Sequence, residues 1–234
     1  MESNNAIPHL KSREIEQKSL DLLERYSKDT GKEIQLPIPV LDMIEYLGYD
    51  IDFRTYDKSD EILGETYLKE KLVAINENLA EKQEGRMYFT AAHEIGHIIL
   101  HAPLATPDFQ ILLKDQEPNI LCRKEDGFDG ANHKALEWQA DKFASFLLMP
   151  TAAVKESFFS IRNKPLNLKR NILVEYFSKK SRRTNAINFA REIIDTGKFT
   201  NVSKLAMVNR LIGMGLIRGL RYQKNRASKK SSKK

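Results

Sequence analysis

Tyr88-Phe-Thr-Ala-Ala-His-Glu-Ile-Gly-His-Ile-Ile-Leu100 is the stretch on which the fold of this chain depends. It is mostly apolar and carries His93, Glu94 and His97. On an α-helix the two histidines lie one turn apart on the same face, where both imidazoles can reach one ion at roughly 2.0–2.1 Å. Glu94 lies roughly 100° further round the helix, beside the ion. The stretch therefore predicts a metal-binding helix with a carboxylate placed to take a proton from polarised water.

A metal centre of this kind needs a third protein ligand. His101 is too far away, because the eight residues of helix that follow His93 rise about 12 Å, and we expect it to be a partly exposed histidine at the helix end. Glu137 is favoured because it stands in a second apolar segment, where a buried carboxylate is costly unless it meets a cation. His133 stays open as another ligand or as a donor to the substrate oxyanion, but an ordinary histidine at the start of a helix is the favoured interpretation.

Asp141 follows Glu137 by four residues, which places both carboxylates on one helix face. A carboxylate in that position can accept the outer N–H of a ligating histidine and fix its tautomer. Two histidines and one glutamate form a catalytic ligand set that leaves a position open for water. The set His93, His97 and Glu137 suits Zn²⁺, and another divalent metal such as Mn²⁺ is compatible with it.

Composition places the chain among globular proteins. Its 234 residues, 41% of them hydrophobic, are enough to bury a core. Cys122 is the single cysteine, so an internal disulfide is excluded. The N-terminus lacks a secretory signal pattern, and no apolar run approaches the ~20 residues of a membrane span. We expect a cytoplasmic protein with no membrane partner.

Charge is concentrated at the C-terminal end. The net charge is +6, and seven Lys and Arg residues without an acid follow Leu220. The first 220 residues therefore sum to −1, which attributes the high isoelectric point to a Ser/Lys tail that we expect to be disordered. Such a tail can hold nucleic acid weakly through phosphates.

Periodicity and turn residues give the expected order of elements. Helices are predicted at residues 10–28, 37–48, 84–101, 133–149, 166–178, 183–196 and 203–213. Strands are predicted at residues 49–55, 64–68 and 72–76, forming a small sheet whose edge, at one of the last two strands, would bind substrate. Residues 102–132 are predicted to be a long excursion, either a lid or binding wall or a surface insertion. The predicted domains are an N-terminal helix (1–34), a metal-binding domain (35–155), a helical module (156–220) and the tail (221–234).

The quoted motifs resemble those of the ImmA/IrrE metallopeptidases of bacteria and their mobile elements. The segment Arg86-Met-Tyr-Phe-Thr-Ala-Ala-His-Glu-Ile-Gly-His97 matches the family's R-x-x-F-T-x-A-H-E-x-G-H. Glu137-Trp-Gln-Ala-Asp-Lys-Phe-Ala-Ser-Phe-Leu-Leu-Met-Pro150 matches its E-x-x-A-N-x-F-A-x-x-L-L-M-P, with Asp141 in place of the commoner Asn. The likeness covers about residues 35–150, and the gap from His97 to Glu137 is longer than is usual for the family.

The resemblance implies an α+β fold: a zincin-like metallopeptidase domain with a small antiparallel or mixed sheet and an HExxH helix, followed by a helical, helix-turn-helix-like module. It implies metal ligands at His93, His97 and Glu137 and a catalytic base at Glu94. Residues 202–217 also resemble the family's C-terminal segment, in which Ser203 is expected to cap a helix and Arg210 could face a phosphate backbone. For that module we favour a structural or protein-docking role, because one such helix does not establish groove binding.

The function implied by the resemblance is zinc-dependent endopeptidase cleavage of a DNA-binding repressor, which switches on a stress, prophage or mobile-element response. Two alternatives belong to other classes. One is a DNA-binding regulator whose metal site is structural, and the other is an antitoxin-like partner that sequesters a repressor without cutting it. The replacement Glu94→Gln separates these functions, because only the peptidase needs the carboxylate for chemistry.

Overall fold

The structure, a computed structural model, describes residues 9–56, 62–104, 119–123, 131–168 and 181–222. The chain divides into two compact units, Met1–Pro150 and Thr151–Lys234. The domain boundaries predicted at residues 34, 155 and 220 stay predictions, and nearly all of the predicted tail lies outside the described residues.

The described part of the first unit contains five α-helices, of which the one at Glu77–Lys82 was not predicted and the other four lie close to the predicted positions. They are α1 (Ser12–Thr30), α2 (Val40–Tyr46), α3 (Glu77–Lys82), α4 (Glu84–Leu100) and α5 (Ala131–Leu148), with a 3₁₀ turn at Ala102–Leu104. Helix α1 ends at Gly31, whose φ of 68° is a left-handed conformation that favours glycine. Helix α4 packs along α5, which also packs against α1, so the core of the unit surrounds the motif-bearing helix.

The small sheet is mixed and contains one strand more than predicted. The strands are β1 (Asp50–Arg54), β2 (Ile62–Tyr67), β3 (Leu72–Asn76) and β4 (Asn119–Arg123). They are ordered β1-β3-β2-β4. The β1 and β3 pair is parallel, whereas β2 is antiparallel to both β3 and β4. The three predicted strands are confirmed, and β4 arises from the segment 102–132, which the sequence predicted to be a long excursion.

The prediction that residues 64–68 or 72–76 provide a substrate-binding edge is wrong. Strand β3 lies between β1 and β2, and β2 lies between β3 and β4. Both strands therefore direct their backbone hydrogen bonds to neighbours on each side and have no edge to offer. Within the described residues the outer strands of the sheet are β1 and β4.

The second unit is mostly helical in its described part. It contains α6 (Thr151–Ile161), α7 (Arg182–Gly197) and α8 (Lys204–Gly213), with a short parallel pair of strands, β5 (Leu166–Asn167) and β6 (Ile217–Arg218). The predicted cap is confirmed, because the Ser203 hydroxyl accepts from the backbone N–H of Ala206 at 3.1 Å. The helix predicted at 166–178 is wrong at its first two residues, which form β5, and most of the remainder lies outside the described residues.

Arg210 does not face solvent, contrary to the prediction that it could meet a phosphate backbone. It is 8% exposed, and its Nη2 donates to the Thr151 hydroxyl at 2.7 Å, which ties α8 to the start of α6. A guanidinium buried in this way supports packing inside the second unit. A helix-turn-helix role of this unit stays a prediction.

The two units carry opposite net charges. Residues 1–150 contain 17 Lys and Arg and 28 Asp and Glu, a net charge of −11, whereas residues 151–220 contain 14 basic and 4 acidic residues, a net charge of +10. The near-zero sum over the first 220 residues conceals this division. The high isoelectric point still comes from the tail, as the sequence predicts, because residues 1–220 sum to −1.

Candidate metal centre

Helix α4 presents two histidine rings to the same point. The Nε2 atoms of His93 and His97 lie 2.9 Å apart. Both side chains are buried, His93 at 3% exposure and His97 at 0%. The four-residue spacing on one helix face produces this arrangement, and it places two imidazole nitrogens where one ion can meet both.

Helix α5 adds a carboxylate to the pair. Glu137 places Oε2 at 3.3 Å from His93 Nε2 and Oε1 at 3.3 Å from His97 Nε2. Ligand atoms of the three residues lie within 4.8 Å of one another. Four ligands at roughly 2.0–2.1 Å around a tetrahedral ion are separated by about 3.3 Å. The two nitrogen–oxygen separations have this length, so the donor set fits a divalent metal.

A glycine allows the two helices to approach this closely. A Cβ atom at Gly96 would lie 3.1 Å from the Cα of Ala140 and 3.2 Å from its carbonyl oxygen. Gly96 precedes His97, and Ala140 stands three residues after Glu137. The contact of two small residues therefore brings the carboxylate of one helix within reach of the imidazoles of the other.

The electrostatics favour an ionised Glu137 carboxylate beside a neutral His97 ring. Burial raises the pKa of Glu137, but hydrogen bonds from His93 and His97 outweigh it and hold that pKa below the ordinary value. Burial lowers the pKa of His97, and the hydrogen bond to Glu137 acts in the opposite direction. Neutral imidazole and ionised carboxylate are the forms that bind metal.

Asp141 supports His93 from the other side of the ring, as the sequence predicts for this position. Its Oδ1 lies 3.0 Å from His93 Nδ1. When Nε2 of His93 ligates a metal, the proton is on Nδ1, which then donates to the Asp141 carboxylate. The side chain of Asp141 is 62% exposed, so this support lies at the surface of the centre.

His101 is buried, and the prediction that it is partly exposed is wrong. It is 2% exposed, with Nδ1 at 2.9 Å from His97 Nδ1 and Nε2 at 3.2 Å from the Gln139 side-chain oxygen. Burial, and after it the neighbouring His97, lowers the pKa of His101, which lies at about 3. As predicted, His101 is not part of the three-residue cluster. The side chain of His133, the ligand left open by the sequence, lies outside the described residues.

Glu94 is fully buried beside the cluster, and its two oxygens differ. Oε2 accepts from the Thr66 hydroxyl at 2.6 Å, whereas the buried Oε1 has no hydrogen-bond partner in the described part of the chain. Burial raises the pKa of Glu94 to about 7, opposed by His93 and by the Thr66 hydrogen bond. A buried carboxylate with one oxygen hydrogen-bonded and the other without a hydrogen-bond partner is suited to accepting a proton.

Strand β2 holds Glu94 from the sheet side, and the sequence did not reveal this. Thr66 supplies the hydrogen bond, while a Cβ at Gly64 would lie 2.9 Å from Glu94 Oε1 and 2.7 Å from Thr90 Cγ2. The alternation of a strand places positions 64 and 66 on one face. That spacing was the available signal, but it becomes informative only once β2 is known to cross α4.

A family model described as the IrrE N-terminal-like domain, Peptidase_M78, matches residues 44–178. The match covers more than half of the chain and includes α4 and α5 with their cluster of ligand atoms. The chain belongs to this peptidase family. The resemblance stated from the motifs is thereby confirmed, and the fold of the first unit is the zincin-like domain of the family with a small mixed sheet. A comparison with curated proteins found no matching relative.

Membership of the Peptidase_M78 family implies protease activity, and the cluster His93, His97 and Glu137 is consistent with a divalent metal in this family member. In the part of the chain that the structure describes, no helix is long and apolar enough to cross a bilayer.

In this family member, Gly64→Ala is expected to disturb Glu94, the predicted base, while sparing the predicted ligands. The added methyl would overlap Thr90 and Glu94, so we expect a loss of stability of about 1–3 kcal/mol and a fall in cleavage rate of about 10²-fold through misplacement of Glu94. Urea unfolding and a cleavage assay measure the two effects. The double variant Gly64→Ala/Thr90→Ser removes the closer of the two overlapping atoms and should recover part of both losses. Wild-type activity in the single variant would contradict the contact.

A pH-dependent effect is expected for Glu94→Gln in the metal-free protein. Because burial raises the pKa of Glu94 from 4.5 to about 7, the unfolded chain releases this proton more readily, and stability falls as pH rises from about 4.5 to about 7. Glutamine removes this cost, so the variant should be more stable by an amount on the order of 2–3 kcal/mol above pH 7 and little changed near pH 5. Urea unfolding at both pH values after chelator treatment tests this, and an equal difference at both would contradict it.

Proposed function

We propose that the protein is a zinc-dependent endopeptidase of the HExxH-plus-Glu type. The observation that carries the proposal is the buried Glu94, with its uncommitted Oε1, next to the cluster of His93, His97 and Glu137. A structural metal site has no need of an uncommitted buried carboxylate beside its ligands, since such a group costs stability without adding a ligand. A catalytic site, by contrast, uses such a carboxylate as a general base.

The three ligands would hold Zn²⁺, or another divalent metal such as Mn²⁺, which a nitrogen and oxygen donor set also accepts. The ion supplies a Lewis acid that polarises the scissile carbonyl and makes water acidic enough to attack it. Asp141 keeps the His93 ring oriented with Nδ1 protonated.

Glu94 performs the proton transfers. Its Oε2 stays hydrogen-bonded to Thr66, so Oε1 takes the proton from the attacking water and later passes it to the leaving amine. The carboxylate is regenerated, and the peptide is cut into a new carboxylate and a new amine.

The substrate is proposed to bind in extended form along β4. This strand pairs with β2 on one side, and on the other it is an outer strand of the described sheet. It replaces the interior strands as the candidate for strand addition. Strand β2, its neighbour, contacts α4 and carries Thr66, so a peptide added to β4 lies one strand away from the element that holds the base.

The proposed substrate is a DNA-binding repressor with a helix-turn-helix, whose cleavage derepresses a stress, prophage or mobile-element response in the cytoplasm. Family membership and the motif resemblance support this choice. The test is incubation of the zinc-loaded protein with repressors encoded beside its gene, followed by mass spectrometry of the products. We expect one cut, lost with chelator and with Glu94→Gln. A repressor that is bound but left intact by the wild-type protein would instead favour sequestration.

A DNA-associated regulator is the second candidate, favoured by one observation. Residues 151–220 carry a net charge of +10 and the remaining residues to the C-terminus add seven more, which is a large positive charge for attracting phosphates. Arg210, buried on Thr151, cannot contribute to such binding. Retention on DNA at low salt, compared with a variant ending at Leu220, tests the tail, and unchanged retention would remove the tail from this role.

A further inference from the structure

We propose that His101 and Gln139 are positioning residues that hold the His97 ring in its metal-binding orientation, in the same way that Asp141 holds His93. The proposal rests on the metal site of the proposed function. His101 follows the last residue of α4, with its backbone N–H bonded to the His97 carbonyl at 2.9 Å, and Gln139 lies on α5 two residues after Glu137. The two helices that supply the metal ligands therefore also supply this support.

The direction of the hydrogen bonds follows from the metal-facing nitrogen. His97 Nε2 points to Glu137 at 3.3 Å and to His93 Nε2 at 2.9 Å, so a ligating His97 carries its proton on Nδ1. The 2.9 Å contact between the Nδ1 atoms of His97 and His101 needs one donor and one acceptor. His101 Nδ1 is therefore the acceptor, and the proton of His101 is on Nε2.

Gln139 determines the direction of the second hydrogen bond, the one to His101. Its side-chain oxygen lies 3.2 Å from His101 Nε2 and can only accept. Since an amide does not change its protonation state near neutral pH, the order of donors runs one way, from His97 through His101 to Gln139. In this order His97 presents an unprotonated Nε2 to the metal, which is the form that ligation requires.

Burial distinguishes this support from the one on His93. His101 and Gln139 are each 2% exposed, whereas the Asp141 side chain is 62% exposed. Water can replace a lost hydrogen bond at the exposed support more easily than at the buried one. We therefore expect His97 to depend more strongly on its buried partners than His93 depends on Asp141.

The test compares zinc affinity, measured by chelator competition, and the visible spectrum of the Co²⁺-loaded protein. His101→Phe removes the acceptor and keeps much of the ring volume, and it should weaken zinc binding by about 10–100-fold and change the Co²⁺ spectrum. His101→Asn returns an acceptor oxygen near the position of Nδ1 and should recover most of the affinity. Equal losses in both variants, or wild-type affinity in His101→Phe, would overturn the proposal.

Gln139 provides a second route if His101→Phe fails to fold, as judged by circular dichroism of the metal-free protein. Gln139→Met keeps the volume but removes the acceptor, whereas Gln139→Glu keeps an accepting oxygen. We expect weaker zinc binding in Gln139→Met and near-wild-type binding in Gln139→Glu. Unchanged binding in Gln139→Met would refute the positioning role.

The outcomes separate this proposal from the proposed function. A wild-type protein that binds no zinc would overturn both. A wild-type protein that binds zinc and cleaves its repressor, together with unaltered zinc binding in His101→Phe and Gln139→Met, would overturn the positioning role alone.

Discussion

Replacing Glu94 with glutamine is expected to lower the rate of repressor cleavage by about 10²–10⁴-fold, the usual contribution of a positioned acid or base. The physical reason is that an amide cannot take the proton of water at Oε1. The replacement preserves the rest of the site, because the amide oxygen can still accept from the Thr66 hydroxyl, which now bonds Oε2 at 2.6 Å. The measurement is single-turnover cleavage at saturating zinc.

The control for this variant is Glu84→Gln, the same chemical change on an exposed position of the same helix. It should cleave at the wild-type rate. Zinc affinity should be equal in both variants and the wild type, since neither residue belongs to the cluster of ligands. Cleavage by Glu94→Gln at the wild-type rate would exclude the proposed peptidase mechanism, and a loss of zinc would mean that Glu94 acts on the metal instead.

Removing the Glu137 carboxylate is expected to have a comparably large effect, through the metal. Glu137→Gln should weaken zinc binding by more than about 100-fold, beyond the loss that outer-sphere variants produce, because only two of the three clustered ligands remain. If the protein binds zinc as proposed, saturating zinc is expected to stabilise the wild type by mass action, about 4 kcal/mol at a thousand times Kd. Thermal unfolding with and without zinc should therefore show a large shift in Tm for the wild type and almost none for the variant.

Glu84→Gln again provides the matched control and should keep the full zinc-dependent shift. If Glu137→Gln also keeps the shift, Glu137 is not the third ligand. The histidine left open by the sequence, His133, then becomes the first residue to replace. Circular dichroism of the metal-free proteins distinguishes lost binding from lost folding.

Much of the candidate site could be predicted because it depends on the spacing of residues within single helices. The spacing of His93 and His97 determines a shared helix face without any knowledge of the remaining chain. Glu137 could be chosen since a carboxylate in an apolar helix needs a cation, and Asp141 follows from it by one helical turn. The structure brings all four side chains together as that reasoning expects.

The errors concern groups whose environment is set by a distant segment. His101 looked exposed because a helix end commonly is, but Gln139 on another helix covers it. Thr66 and Gly64 gain their roles only where β2 crosses α4. Strand β4 was not predicted, since its extended conformation depends on pairing with β2 rather than on its own pattern.

The same explanation applies to Arg210. A basic residue near the end of an amphipathic helix is expected to reach solvent, and nothing in the flanking sequence indicates a hydroxyl acceptor 59 residues earlier in the chain. The fold brings Arg210 of α8 to Thr151 at the start of α6, which turns a possible phosphate contact into an internal hydrogen bond. Long-range contacts of this kind are outside the reach of periodicity.

The opposite charges of the two units give the protein the character of a large zwitterion. Copies whose first 150 residues carry −11 and whose next 70 carry +10 attract one another when salt is scarce, since the field of a charge then extends about 30 Å at 0.01 M and only about 8 Å at 0.15 M. Unlike a uniformly charged protein, this one is therefore expected to become more soluble as salt is added, and buffers of very low ionic strength are expected to favour its precipitation.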